Sequence, residues 1–371
     1  MLSQRSSKLF DPIQVGAFNL QHRVVLAPLT RGRADTASVP ALYAPDYYAQ
    51  RATPGGLLIT EGTFIHPEGA GRLYSPAGIY SKEQIEAWKH VTAAVHAKGG
   101  LIVVQLWALG RIAEPDLVSA VYSPGTKPYL DNDDTSRRTP DKAAVIEKFT
   151  TMIEAGINRF VEHFRQAALN AIEAGFDGVE LHGANGYLID QFLQSTSNDR
   201  QDQYGGSVEN RIRFPLRVVN AISEAIGAER VGVRMSPFTR FQGMRETDPL
   251  SLFVPWAQAI VDSQPSIGYL HAVEPRADGA VDTPDHLQKG IESLDSIREV
   301  ATRADVNFIA AGGFTPESAF EHTSETDDLV AFGGTLFNGW ALTKYDRSTF
   351  YKTNEVGYSD YTAYTVDKVA A

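Results

Sequence analysis

His182, Asn185 and Tyr187 stand three and then two residues apart in the segment His182-Gly183-Ala184-Asn185-Gly186-Tyr187. An imidazole and a carboxamide can each donate a hydrogen bond to one carbonyl oxygen, and a phenol can supply a proton nearby. That set suits a reaction that polarises a carbonyl and protonates the adjacent carbon. The segment follows Gly178-Val179-Glu180-Leu181, a short run that reads as a buried strand, so the three side chains are expected at a strand exit. A structural loop in which His182 and Asn185 cap the next helix accounts for the same residues equally well. Their neighbours in the fold must decide between the two.

The elements that would position them recur along the chain. Near-continuous apolar runs predict strands at Arg23–Pro28, Leu57–Gly62, Leu101–Trp107, Gly178–His182, Val231–Pro237, Gly268–Val273, Asn307–Gly312 and Leu329–Gly333. Runs without alternation fit strands covered on both faces. Between them, Ile85, Trp88, Val91 and Val95 give Lys82–Ala97 a helical stripe, and Phe160, Phe164, Ala168 and Ile172 give a second that Gly175 ends. Further helices read at Val208–Ile226, Pro249–Asp262 and Gln288–Thr302. Eight strands alternating with helices imply an α/β fold, a (β/α)8 TIM barrel, as a single domain over residues 1–371. The stretch Pro115–Asp141, rich in Pro, Asp, Ser and Thr, breaks the alternation after strand three. It reads as an insertion on the active-site face, a lid or a disordered loop.

Bulk properties exclude several functions. Of 371 residues 43% are hydrophobic, enough for a large core, and the net charge of −11 argues against nucleic-acid binding. There is no cysteine, which removes thiolate metal sites and cysteine nucleophiles. The N-terminus lacks an apolar signal core, and no run approaches the ~18 apolar residues of a membrane span. A soluble, cytoplasmic protein acting on a small molecule is the expectation, with no nucleic-acid or membrane partner.

In a barrel the C-terminal strand ends carry the site. Those ends hold Pro28, Leu29 and Thr30, then Gly62, then Gln105 and Trp107, then the opening motif, then Arg234, and finally Gly312 and Gly313 with Gly333 and Gly334. Thr30 has a bland explanation as a turn residue, Gln105 as a core amide and Trp107 as core filler. Arg234 is different, because a cation inside an apolar strand needs an anionic or electron-rich partner. The glycines suit a phosphate held by backbone amides. Such a barrel could hold a flavin mononucleotide, although residue types alone do not assign it.

The ordered set of motifs resembles the Old Yellow Enzyme family of flavin-dependent ene-reductases, particularly fungal members, including those of secondary metabolism. It comprises Leu26-Ala27-Pro28-Leu29-Thr30-Arg31, Leu58-Ile59-Thr60-Glu61-Gly62, Gln105-Leu106-Trp107, His182 to Tyr187 followed by Asp190-Gln191-Phe192-Leu193, Tyr204-Gly205-Gly206-Ser207, Glu209-Asn210-Arg211, Val233-Arg234-Met235-Ser236-Pro237, Ala311-Gly312-Gly313-Phe314 and Lys344-Tyr345-Asp346-Arg347. The resemblance implies FMN as cofactor and NADPH as reductant, with reduction of the C=C bond of an enone or enal. It implies that Pro28, Leu29, Thr30, Gly62, Gln105 and Arg234 line the flavin ring and that Gly312, Gly313, Gly333 and Gly334 lie at its phosphate. His182 and Asn185 would hold the substrate carbonyl, Tyr187 would protonate the α-carbon, Trp107 would shape the pocket and Tyr345 would close its outer edge. It implies no metal, and a monomer or homodimer. The chain departs from the family in one place. Gly334 stands where the resemblance puts a phosphate-binding arginine, and the connection over residues 334–343 is about ten residues short by comparison. Losing a charge-assisted pair implies weaker flavin binding and a thinner helix layer beside strand eight. It also opens a second expectation: a barrel with weakened or lost FMN binding that acts as a non-redox isomerase or cyclase.

Overall fold

Eight strands form where the apolar runs lie: β1 (Val24–Leu26), β2 (Leu57–Phe64), β3 (Leu101–Trp107), β4 (Gly178–Gly183), β5 (Val231–Met235), β6 (Tyr269–Val273), β7 (Asn307–Ala311) and β8 (Leu329–Phe332). All pair in parallel, in chain order, and β8 pairs with β1 to close the barrel. The computed structural model describes residues 7–72, 75–129, 142–278, 281–282, 292–333, 335–338, 341–344 and 346–361. Closure explains the strand composition, because a barrel strand has side chains inside and helices outside and neither face meets water.

Helices follow the strands in turn: α1 (Ala44–Ala49), α2 (Lys82–His96), α3 (Glu154–Glu173), α4 (Arg213–Ile226), α5 (Leu250–Ser263), α6 (Asp295–Arg303) and α7 (Pro316–Glu325). The predicted stripe of α2 is buried throughout, and Ser81 with Gln84 forms the capping box that starts it. In α3, Phe160, Phe164 and Ala168 are buried, while Ile172 is only partly so. The helix expected over Val208–Ile226 is two pieces, Val208–Arg211 and α4, separated at Ile212. Helix α7 escaped the apolar pattern because it is short and half-exposed; its sign in the sequence is Thr315-Pro316, an N-cap followed by proline.

A hairpin of Ile13–Val15 and Phe18–Leu20 fills the opposite end of the barrel. Val15, Phe18 and Leu20 are buried against Val25, Leu57, Ile59, Val103 and Tyr269. That end of the barrel is thereby plugged with apolar side chains. Beyond β8, the chain forms a second hairpin, Thr335–Asn338 with Ala341–Lys344, while α7, which precedes the strand, packs Ala319 and Phe320 against Val330 and Phe332. The shortened connection over residues 334–343, on which the expected thinning of the outer layer rests, lies partly outside the described residues.

The Pro115–Asp141 insertion is partly built into the fold. Val121–Ser123 pairs in parallel with Phe149–Thr151, and Tyr129 is buried; residues 130–141 lie outside the described set. A polar clasp ties this region to α3. Glu68 accepts from Arg159 Nε at 2.8 Å and from Tyr122 Oη at 3.2 Å, and it pairs with His163 Nε2 at 3.0 Å. His66 and His163 come close enough to the carboxylate to form a ligand triplet, but their rings stack 3.7 Å apart and nearly parallel. Stacked imidazoles direct their in-plane lone pairs side by side, so this group acts as a clasp.

Candidate active site

Strand register assembles the mouth. Gln105, Glu180, Gly232 and Tyr269 align across β3 to β6, and one pleat higher His182, Arg234 and His271 align across β4 to β6. Gly232 is a space requirement: a Cβ there would stand 2.1 Å from the Tyr269 ring. The lower layer centres on Glu180, fully buried, which accepts from Gln105 Nε2 at 2.7 Å, pairs with His271 Nδ1 at 2.8 Å and accepts from Tyr269 Oη at 3.2 Å. Burial pushes the Glu180 carboxyl up, but His271, Arg234 and Gln105 together outweigh it and hold it below the ordinary range. An ionised Glu180 is thus the counter-charge for the Arg234 guanidinium, whose own pKa burial lowers and Glu180 opposes. The sign that revealed Arg234 in the sequence, a charge within an apolar strand, also marked Glu180, and sequence reasoning used only the first.

Above this layer stand the expected three. His182 is buried, and burial followed by the positive charge of Arg234 drops its pKa well below the usual histidine value. Its imidazole is neutral at pH 7 and can donate a hydrogen bond without being an acid. Asn185 has φ +57°, a left-handed conformation that asparagine tolerates, and its amide donates to Ser236 Oγ at 2.8 Å. Nδ1 of His182 and Oδ1 of Asn185 are buried and have no partner among the described residues. Such orphans mark a place where something else binds. Tyr187 lies 5.1 Å from the His182 ring and 4.8 Å, edge-on, from Trp107. Its phenol accepts from Arg72 Nη2 at 3.3 Å, a neighbour the sequence did not suggest.

The capping-loop alternative is excluded by the contacts of this turn. The short helix Leu188–Leu193 has no side-chain cap from Tyr187, and Asp190 and Gln191 shape the turn instead. Asp190 accepts from the Gly186 amide and from Gln194 Nε2, each at 2.8 Å, and Gln191 donates to the carbonyls of Gly186 and Leu109. Burial pushes the Asp190 carboxyl up to about 7, with Gln194, Gly186 and Arg111 opposing it. Its folded pKa lies above the unfolded value, so the stability it contributes is complete at low pH and is lost as pH rises toward 7. Over that window the wild type is expected to lose roughly 4 kcal/mol relative to Asp190→Asn, measured by urea unfolding at a series of pH values. Parallel pH profiles for the two proteins would refute this assignment.

The flavin-lining candidates sit around the same mouth. Gly62 lies at a register shift of β2 against β3, and a Cβ would come within 2.8 Å of the Trp107 indole, which itself stacks on Phe64 at 5.1 Å. Pro28, Leu29 and Thr30 are partly exposed in the loop leaving β1. That loop is pinned by buried Glu61, which accepts from the Arg31 and Gly32 amides at 3.1 and 3.0 Å. Gly333 packs against Leu29, joining the ends of β8 and β1. Gly312 and Gly313 stand apart from the central set, against Glu274, Arg276 and Ala277 of the loop leaving β6. Gly334 and Tyr345 lie outside the described residues.

Fold and mouth together define a barrel enzyme with its site at the C-terminal strand ends. Residues 8–343 match the NADH:flavin oxidoreductase / NADH oxidase family. The chain is 42% identical to the flavin oxidoreductase hxnT of Emericella nidulans, over 95% of this chain and 97% of that one. It is also 42% identical to 12-oxophytodienoate reductase 7 of Oryza sativa subsp. japonica, over 96% and 95%. The solved Old Yellow Enzyme homologue of Zymomonas mobilis superposes with a TM-score of 0.82 at 36% identity, over 96% of this chain and 99% of that one. The chain belongs to this family, and it is a flavin oxidoreductase of the Old Yellow Enzyme type.

Proposed function

We propose that the protein reduces the C=C bond of α,β-unsaturated carbonyl compounds, with FMN as bound cofactor and NADPH as reductant. The observation that carries this reading is the buried, unpartnered Nδ1 of His182 beside the Tyr187 phenol; the Asn185 carboxamide stands on the same turn, with Nδ2 as the atom that would donate. His182 and Asn185 hold the substrate oxygen, and their hydrogen bonds strengthen as negative charge gathers on it. Tyr187 delivers a proton to the α-carbon, a task the neutral His182 cannot perform. Arg72 holds the phenol oxygen in place from behind. Trp107 forms the pocket wall between Gly62 and Tyr187. FMN, when bound, supplies hydride to the β-carbon.

The residues around the mouth fit that cofactor. Gln105 and Arg234 present an amide and a cation over the ionised Glu180, suited to the polar edge of a flavin ring, while Pro28, Leu29, Thr30 and Gly62 line its faces. The named activity of the rice relative, reduction of an oxo-dienoate, supports this substrate class. A place in fungal secondary metabolism rests on the likeness to fungal members. No described helix is long and apolar enough to cross a membrane.

The visible spectrum of the purified protein tests the reading. A yellow protein that bleaches on anaerobic addition of NADPH and regains colour with an enone is the expected result. A colourless protein that stays folded, ignores added FMN and still isomerises an enone would overturn it.

A further inference from the structure

The rim beside β7 carries the glycine turn that the resemblance sets at the flavin phosphate, and beside it an arginine to which no role has been given. Gly312 and Gly313 follow the strand with φ of +110° and +62°, backbone that side-chain-bearing residues rarely adopt. Consecutive N–H groups in such turns make concavities that bind anions. Among the described residues, neither amide donates to a protein acceptor.

Arg276 reaches this turn from the loop after β6. Its Nε donates to the Gly312 carbonyl at 2.5 Å, and its guanidinium lies over the Phe314 ring at 4.2 Å. Its stem packs against Gly313, where a Cβ would stand 3.3 Å from Cδ and Nε. The guanidinium is thus held on several sides, yet Nη2 is buried with no hydrogen-bond partner. Asp278 accepts from Thr239 Oγ1 and from the amides of Arg240 and Phe241, and burial pushes the Glu274 carboxyl up while the charge of Arg276 opposes it.

We propose that Arg276, with the Gly312 and Gly313 amides, binds the phosphate monoester of the flavin nucleotide and supplies the cation that Gly334 lacks. This rests on the flavin reading above. A phosphate monoester is shared by FMN and NADPH, but two features favour the resident cofactor. A guanidinium fixed on several sides suits a ligand that stays through turnover, since its ordering cost is met once on folding. The turn also belongs to the same rim as Gly333 and Leu29, where the flavin reading places the cofactor.

The test titrates the full-length chain with FMN and with riboflavin, which lacks the phosphate, and follows quenching of flavin fluorescence. Arg276→Met is expected to weaken FMN binding about 10- to 100-fold and to leave riboflavin binding unchanged, with Arg276→Lys recovering part of the loss. Equal FMN affinity in wild type and Arg276→Met would overturn the proposal, as would equal losses for FMN and riboflavin, which a structural role produces. A variant that keeps FMN but raises KM for NADPH and not for NADH would assign the arginine to the coenzyme and overturn it too. If the wild type binds neither flavin, the proposed function itself fails, a result distinct from every failure of Arg276 alone.

Discussion

Replacing His182 by alanine is expected to lower kcat for an enone by about 100- to 1000-fold, with Asn185→Ala close behind. The size follows from the surroundings. His182 is buried beside Arg234, its imidazole is neutral, and it donates into a pocket from which water is largely excluded. A donor already in place there stabilises developing charge without reorganising, so its loss falls mainly on the transition state. The double variant should lose less than the product of the single losses, because both donors serve one oxygen. The rate at which NADPH bleaches the bound flavin separates this role from a structural one. That rate should stay within a few-fold of wild type if the two residues serve the carbonyl substrate. An equal loss in both half-reactions would show that the turn was only holding the barrel mouth together.

Tyr187→Phe is expected to slow enone reduction by about 100- to 10,000-fold, the range for a positioned general acid. The phenol packs edge-on against Trp107, accepts from Arg72 and lies 5.1 Å from the His182 ring, so phenylalanine should keep the packing and remove the proton. The more decisive readout is stereochemical. In D2O the wild type should place deuterium on one face of the α-carbon, whereas residual turnover by the variant should take it from solvent with reduced facial selectivity. Full rate together with retained selectivity would show that another group donates the proton. Such a group would have to lie among the remaining neighbours of the pocket, since the lowered pKa of His182 keeps it from forming the imidazolium that would act as an acid at neutral pH.

Much of this arrangement was legible in the chain. The eight barrel strands appear at the apolar runs, because a strand covered on both faces has no choice but to be apolar throughout. The strand-four motif and Arg234 were visible for the opposite reason, as polar groups where burial penalises them. Boundaries were less legible. Strand β1 is only Val24–Leu26, shorter than the run that marks it, and β2 extends past its expected end to Phe64 through a register shift at Gly62. Hydrogen-bond pairing sets such limits, and hydrophobicity does not report it.

What the sequence determined by itself is the set of parts: a closed parallel barrel, an imidazole, a carboxamide and a phenol on one turn, and a cation inside a strand. Only the tertiary structure decided how they work together. Register places Glu180 beneath Arg234 and ties it to Gln105 and His271, residues separated by scores of positions in the chain. The fold also brings Arg72 to the Tyr187 phenol and Arg276 to the Gly312 turn from loops of no evident pattern. The physical reason is that local periodicity encodes which face of an element is buried. The partner a buried charge meets depends on strand order and closure, which no local stretch of sequence contains.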